Sequence, residues 1–237
     1  MQRRLSSSAT LALVVSGLAV SALVVGAPAG AGAVSTGGSS SNSQIAKAGV
    51  LVSADLPAGY VQKKHDTSSD KATQKTASKI AECKKLAAFF QTVKKYKQAK
   101  SPDFDQADTT ISNTVTPFPS ASKARSAMGT YTAAGLPACF GKLLAKVVAS
   151  QGAQVTADIK QVGGVDVGDQ AVAYEGPVDI AAKDGSTARL GFGTLAVRVG
   201  RVVDVYTYSH AAETDVSTTL ENAVQSSLTR LQQALTS

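Results

Sequence analysis

The apolar residues of this chain hold one period, abandon it and then return to it, and few folds accommodate that order. In residues 78–97, Ile80, Cys83, Leu86, Ala87, Phe90 and Val93 recur at steps of three and four, while Lys84, Lys85, Lys94 and Lys95 fall mainly off the stripe. This is the spacing of an amphipathic helix with one buried face. A second helical region follows the "PFPS" break, pauses at Gly135 and restarts at Pro137. Proline suits a first helical turn because its missing N–H loses no bond there. The stripe of this segment carries Cys139, Leu143 and Val147, beside Phe140, Leu144 and Val148.

Beyond residue 150 the period drops to two. "QVTADIK" alternates Val155, Ala157 and Ile159 with polar partners, and "DQAVAYEGPVDIAA" is a longer extended run. Asp184-Gly185 marks a hairpin, expected as a tight turn with both central residues at positive φ. "LAVRVGRVVDVYTYS" predicts a second hairpin turning at Gly200-Arg201, with Gly200 in the first central position. Pairing across that turn sets Val199 opposite Val202, Arg198 opposite Val203 and Leu195 opposite Tyr206. The extended "ADTTISNTVTPF" adds a strand before the second helical region. From Val216 the helical period returns, with Leu220, Val224, Leu228, Leu231 and Leu235 on one stripe behind a cap at Thr214 or Asp215.

The second hairpin has two apolar faces, Leu195 and Val197 on one, Val203 and Val205 on the other. A sheet of that kind must be covered on both sides. The expected class is therefore α+β, a mainly antiparallel β-sheet flanked by helices. With 43% hydrophobic and 17% charged residues, general disorder is excluded. Aromatics are only 5%, with no Trp, so Val, Leu and Ala must build most of the core.

The amino terminus indicates where the chain works. Arg3 and Arg4 precede an uncharged, largely apolar run from Ala9 to Val25, and small-residue sites follow, ending at Ala29 or Ala33. This is the layout of a secretory signal peptide. An uncleaved anchor is the alternative, but Ser and Gly interrupt the run and two A-x-A sites follow it, so no stable membrane span is expected after cleavage. The expected division is a signal peptide at 1–33, a flexible Ser/Gly-rich leader at 34–47 and a single α+β domain at 48–237.

That compartment bears on the two cysteines, Cys83 and Cys139. In an oxidising space an isolated pair reads as a structural disulfide. It would close a loop of 56 positions, a constraint worth about 4 kcal/mol. A metal site would need more His or Cys nearby than His65 and His210 provide, and a redox pair is more often C-x-x-C.

Catalytic signatures are not legible. The chain has no G-x-S-x-G turn, and His65 and His210 read most simply as solvated loop histidines. Asp166 and Asp169 lie in "GGVDVGDQ", where Asp serves local turn hydrogen bonds, and that segment lacks the Lys and Ser/Thr of a phosphate loop. No cofactor, metal or catalytic residue is expected. Tyr206 and Tyr208 share one strand face and are candidate cleft residues, or else ordinary half-buried strand aromatics. Residues 63–100 hold eleven Lys against Asp66, Asp70 and Glu82, a local balance of +8 on a chain whose total is +7. Lys84, Lys85, Lys94 and Lys95 are thus either a solvated helix face or a surface for an anionic envelope polymer or lipid headgroup. Nucleic acid is not an expected partner outside the cell.

"LVSADLPAGY", the pair formed by Cys83 and the cysteine of "LPAC", "VGDQAVAY", "VRVGRVVDVYTYS" and the closing leucine helix resemble the extracytoplasmic sensor-domain family of actinobacteria. That family includes the outer domain of the PknH-type Ser/Thr kinase and free-standing secreted proteins. The resemblance implies a helix-covered antiparallel sheet with a cleft for an unknown small or lipidic ligand, and no catalysis. Two departures stand out: the kinase sensor has two disulfides where this chain can form one, and neither a kinase domain nor a lipobox Cys is present.

Overall fold

The computed structural model describes residues 40–150 and 152–237. Among them are six α-helices: α1 (Asn42–Gly49), α2 (Thr67–Ala77), α3 (Lys84–Val93), α4 (Ala121–Tyr131), α5 (Leu136–Ala149) and α6 (Ser217–Thr236). Nine strands accompany them: β1 (Val61–Lys63), β2 (Ala99–Lys100), β3 (Asp103–Gln106), β4 (Thr109–Pro117), β5 (Gln154–Ala157), β6 (Lys160–Val162), β7 (Gln170–Ala181), β8 (Thr187–Val199) and β9 (Val202–Ala211). They form one sheet in the order β1-β3-β4-β9-β8-β7-β5, with β2 beside β4 and β6 beside β7. Every pairing is antiparallel, and the fold is α+β.

The β8–β9 hairpin turns at Gly200-Arg201, and its register sets Val199 opposite Val202, Arg198 opposite Val203 and Leu195 opposite Tyr206. Gly200 takes φ +55°, a left-handed value that a β-branched residue resists. The β7–β8 turn differs from the expected two-residue form. Ala182 and Ser186 still pair, leaving Lys183, Asp184 and Gly185 in the loop, and only Gly185 has positive φ, at +83°. The Asp184 carboxylate accepts from both the N–H and the hydroxyl of Ser186, which holds the aspartate in ordinary backbone space and leaves the left-handed position to glycine.

Alternation along the strands sends side chains to two cores. Val172, Tyr174, Phe192, Ala196, Val203 and Val205 face α3, α4 and α5. Leu195, Val197, Val199, Val202, Tyr206 and Tyr208 face α1 and α6. Both faces of the central hairpin are covered, as its two apolar sides require.

Cys83 and Cys139 are disulfide-bonded, fully buried, with Cα atoms 4.8 Å apart. The continuous helix expected over 78–97 is broken. The chain turns after α2, Ile80 is extended and drives its side chain into the core, and a 3-10 turn at Ala81–Cys83 leads into α3. Helix α2 has almost no apolar stripe, and its start is set by Asp66, whose carboxylate accepts from Ser68 N–H at 2.8 Å.

The domain also starts earlier than expected. Residues 42–47, read as flexible leader, belong to α1, which opens on a capping box between Ser41 and Gln44 and buries Ile45 and Ala46. The boundary at 48 therefore falls inside a helix. The expected signal peptide at 1–33 and the expected leader up to residue 39 lie outside the described residues. Among the described residues, no single helix is long and apolar enough to cross a membrane.

Candidate ligand cleft

The site is built on a gap in the sheet surface. Extending the β8–β9 register outward pairs Gly193 with Tyr208 and Gly191 with His210. A Cβ added at Gly193 would lie 2.1 Å from the Tyr208 ring carbon Cζ, and one at Gly191 2.2 Å from His210 Nε2. Each ring therefore lies down across β8 in space that only glycine vacates. The two rings are near-parallel, with centroids 6.3 Å apart and planes 16° from each other.

Rings that lie flat leave room above them. That room is a cleft of about 410 Å³ under the first turns of α6, within the range of about 300–1,000 Å³ common for small-molecule sites. Its floor is Ala173, Leu195 and Tyr208. One wall is the segment after β6, with Val162, Val165 and Val167, and the other is the α6 stripe of Val216, Leu220 and Val224. Polar groups stand among these walls, namely Asp166, Glu175, Ser217, Glu221 and Gln225.

The polar groups around Tyr208 are ordered. Burial, then the charge and hydrogen bond of Glu175, push the Tyr208 phenol well above its usual range, so the hydroxyl stays protonated and donates to that carboxylate. Glu175 Oε1 also lies 3.6 Å from His210 Nε2. The other ring nitrogen, Nδ1, is 2.8 Å from the Ala211 carbonyl and donates to it. His210 is thus not the solvated loop residue expected: it is 8% exposed, folded over Gly191.

Of the two tyrosines singled out by sequence, only Tyr208 lines the cleft. Tyr206 is fully buried beneath a later turn of α6, with its hydroxyl on Ser227 and Asp204. The shared strand face did not distinguish them, because the part of the helix above each one decides. Asp204 is itself fully buried. Burial pushes its carboxyl up to about 8, only partly opposed by hydrogen bonds from Tyr206 and Asn113, so it is neutral at pH 7. Asn113 Nδ2 donates to Asp204 at 2.9 Å and to the Gly49 carbonyl, and its Oδ1 accepts from Leu51 N–H. Arg230 of α6 completes this polar seam, gripping Asp55 with both terminal nitrogens and the carbonyls of Ala48 and Val50.

His65, also expected in solvent, is held between Asp103 at 2.8 Å and Asp70 at 3.1 Å, and Lys100 pairs with Asp70 as well. Burial pulls this imidazole down, but the hydrogen bonds to Asp103 and Asp70 outweigh it and hold it at about 9. Both ring nitrogens are engaged by carboxylates, so neither is presented to a substrate. The cluster ties α2 to β2 and β3.

Asp169 reaches further than a local turn: its carboxylate accepts from Arg198 at 2.8 Å and from Gly200 N–H at 2.7 Å. Asp166 faces the cleft. Lys84 and Lys85 in the first turn of α3, and Lys94 and Lys95 in the turn just after it, are exposed; α3 packs on the opposite face of the sheet, so the lysines and the cleft are not brought together. Sequence reading missed Glu175, Leu195, Leu220 and Glu221. The available signal was "LGFGT", which the 200–201 turn places opposite Tyr208 and His210.

No family model and no curated protein matches this chain. Among solved structures it is similar to the extracellular domain of PknH from Mycobacterium tuberculosis, at 14% identity with a TM-score of 0.38, over 67% of this chain and 76% of that one. A likeness at that level leaves function to be read from the cleft itself.

Proposed function

We propose that this chain is a secreted, non-catalytic, sensor-like domain of the cell envelope that binds a small or lipidic ligand in the cleft between α6, the segment after β6 and the β7–β8–β9 sheet. One observation carries the reading: a cleft of about 410 Å³ with an apolar floor and an ordered pair of polar groups, Tyr208 and Glu175. Concave, mostly apolar sites with a few placed polar groups are what ligands of this size occupy. The buried Cys83–Cys139 disulfide, together with the signal-like amino terminus, supports a place outside the cytoplasm.

Native mass spectrometry of the protein secreted by its own host tests this. A discrete added mass is expected on the wild type, and it should be absent from Val165→Trp, which fills the cleft from a half-buried loop position. An added mass that survives Val165→Trp would place the ligand elsewhere and overturn the reading.

A second reading rests on the exposed lysines at the two ends of α3. Lys84, Lys85, Lys94 and Lys95 make no ion pair among the described residues, which suits a surface for an anionic envelope polymer or lipid headgroup. Reversing all four to Glu should then abolish retention on isolated cell walls, and wild-type retention should fall with salt, because screening shortens exposed charge interactions to about 10 Å at ~0.1 M. Retention that survives the reversal removes this reading.

A further inference from the structure

We infer that the ligand of this cleft is a lipophilic cation, an amine or quaternary ammonium at the end of an apolar body. The inference rests on the cleft reading above and names the chemistry the cleft would select. Across the chain basic residues outnumber acidic ones, 24 to 17. The cleft reverses that balance: its charged lining residues are Asp166, Glu175 and Glu221, without a Lys, Arg or His among them.

No Lys or Arg forms an ion pair with these carboxylates among the described residues; Lys160, opposite Glu175 in the β6–β7 register, pairs with Asp158 instead. Among the described residues, Asp166 and Glu221 make no ion pair, and the partner of Glu175 is His210, at 3.6 Å. A fatty acid or phosphate headgroup would bring a further negative charge to a place with no cation to meet it, at a cost that grows as water is excluded. A neutral lipid would leave the carboxylates unmatched. An ammonium group satisfies them.

Tyr208 supplies an independent second feature. Three atoms at the end of its side chain lie 2.1–2.5 Å from where a Gly193 Cβ would sit, so the ring lies over β8 with one face on the backbone. The opposite face is turned to the cleft, where an aromatic face within about 6 Å attracts a cation through its quadrupole. Glu175, hydrogen-bonded by the Tyr208 hydroxyl, stands at the edge of that ring. A ring face beside a fixed carboxylate is a recognition element for ammonium. Val165, Val167, Leu195, Val216, Leu220 and Val224 provide the apolar surface for the rest of the molecule.

Calorimetric titration of the disulfide-bonded protein with decyltrimethylammonium, decanoate and decanol, each below its micelle concentration at low salt, tests the inference. The tail is constant and only the head changes. Decyltrimethylammonium should bind at least tenfold more tightly than decanoate. In the exposed pair Asp166→Asn/Glu221→Gln that preference should fall at least threefold, and in the wild type added salt should shrink it. Decanoate binding as tightly as the cation would overturn the inference and leave the cleft reading in place. Binding of no probe would overturn both, and cation binding that persists in Val165→Trp would show the site to be elsewhere and overturn the inference.

Discussion

The two faces of the sheet are covered by different means. On one side α2 to α5 close over an aromatic core, where Phe89 meets Tyr131 edge-on at 5.2 Å and Phe140 meets Tyr174 at 5.7 Å, and the Cys83–Cys139 bond cross-links the layer. On the other side, among the described residues, the helices on the strands are α1 and α6, fastened by a buried polar seam through Asn113, Asp204, Tyr206 and Ser227. Next to the start of α6 this second cover leaves the cleft. The difference teaches a division of labour. A covalently braced, fully packed face fixes the strands, and the opposite face can then leave apolar surface uncovered without losing the sheet.

The largest expected effect breaks the bracing. Cys83→Ala/Cys139→Ala should lose about 4 kcal/mol of stability in urea unfolding, from the freed loop entropy. If the faces are separate in function, decyltrimethylammonium affinity should stay within about twofold of wild type where the variant is folded, a change of less than half a kcal/mol. A large affinity loss would show that the cleft depends on the braced layer directly.

The next effect sharpens the comparison through pH. Asp204 is raised to about 8 in the fold, so between the ordinary carboxyl range and 8 the native state holds a proton that the unfolded chain has released. Its contribution is complete at low pH and is lost as pH rises, roughly 3 kcal/mol between pH 5 and 8. His65, on the braced side, is raised from 6.5 to about 9. Its contribution is present below pH 6.5 and lost as pH climbs through 9. Asp204→Asn should flatten the acidic-to-neutral part of the stability curve and His65→Gln the alkaline part. Variants whose curves run parallel to wild type at all pH values would contradict these assignments.

The smallest effect lies in the braced core. The Tyr131 hydroxyl is buried without a hydrogen-bond partner among the described residues. Tyr131→Phe should therefore stabilise the protein by about 1 kcal/mol, measured as a raised urea midpoint, because an unsatisfied buried hydroxyl costs free energy that phenylalanine avoids.

The sequence made the sheet legible because a single positive-φ glycine sets the register for all of β8 and β9. Once Gly200 is placed, the opposition of Gly193 to Tyr208 follows by counting. The pairing of the two cysteines was legible too, although the helix expected around Cys83 begins only after it. What was hidden is non-local. Asp103 lies 38 residues from His65, and Asn113 lies 91 from Asp204, so neither buried ionisable group could be told from a surface one. Helix α2 was missed because "TSSDKATQKTA" has no continuous apolar stripe. The cleft was half visible: its aromatic residue, Tyr208, lies on a strand whose register could be counted, but its walls come from α6 and the segment after β6, whose meeting no periodicity records.

The claim that one face supports and the other binds is tested most directly by mapping backbone amide shifts during a decyltrimethylammonium titration. Shifts should cluster at residues 163–168, at Ala173 and Leu195, and along 216–225, with α3, α4 and α5 unchanged. Shifts centred on α3 to α5, or spread equally over both faces, would contradict the account.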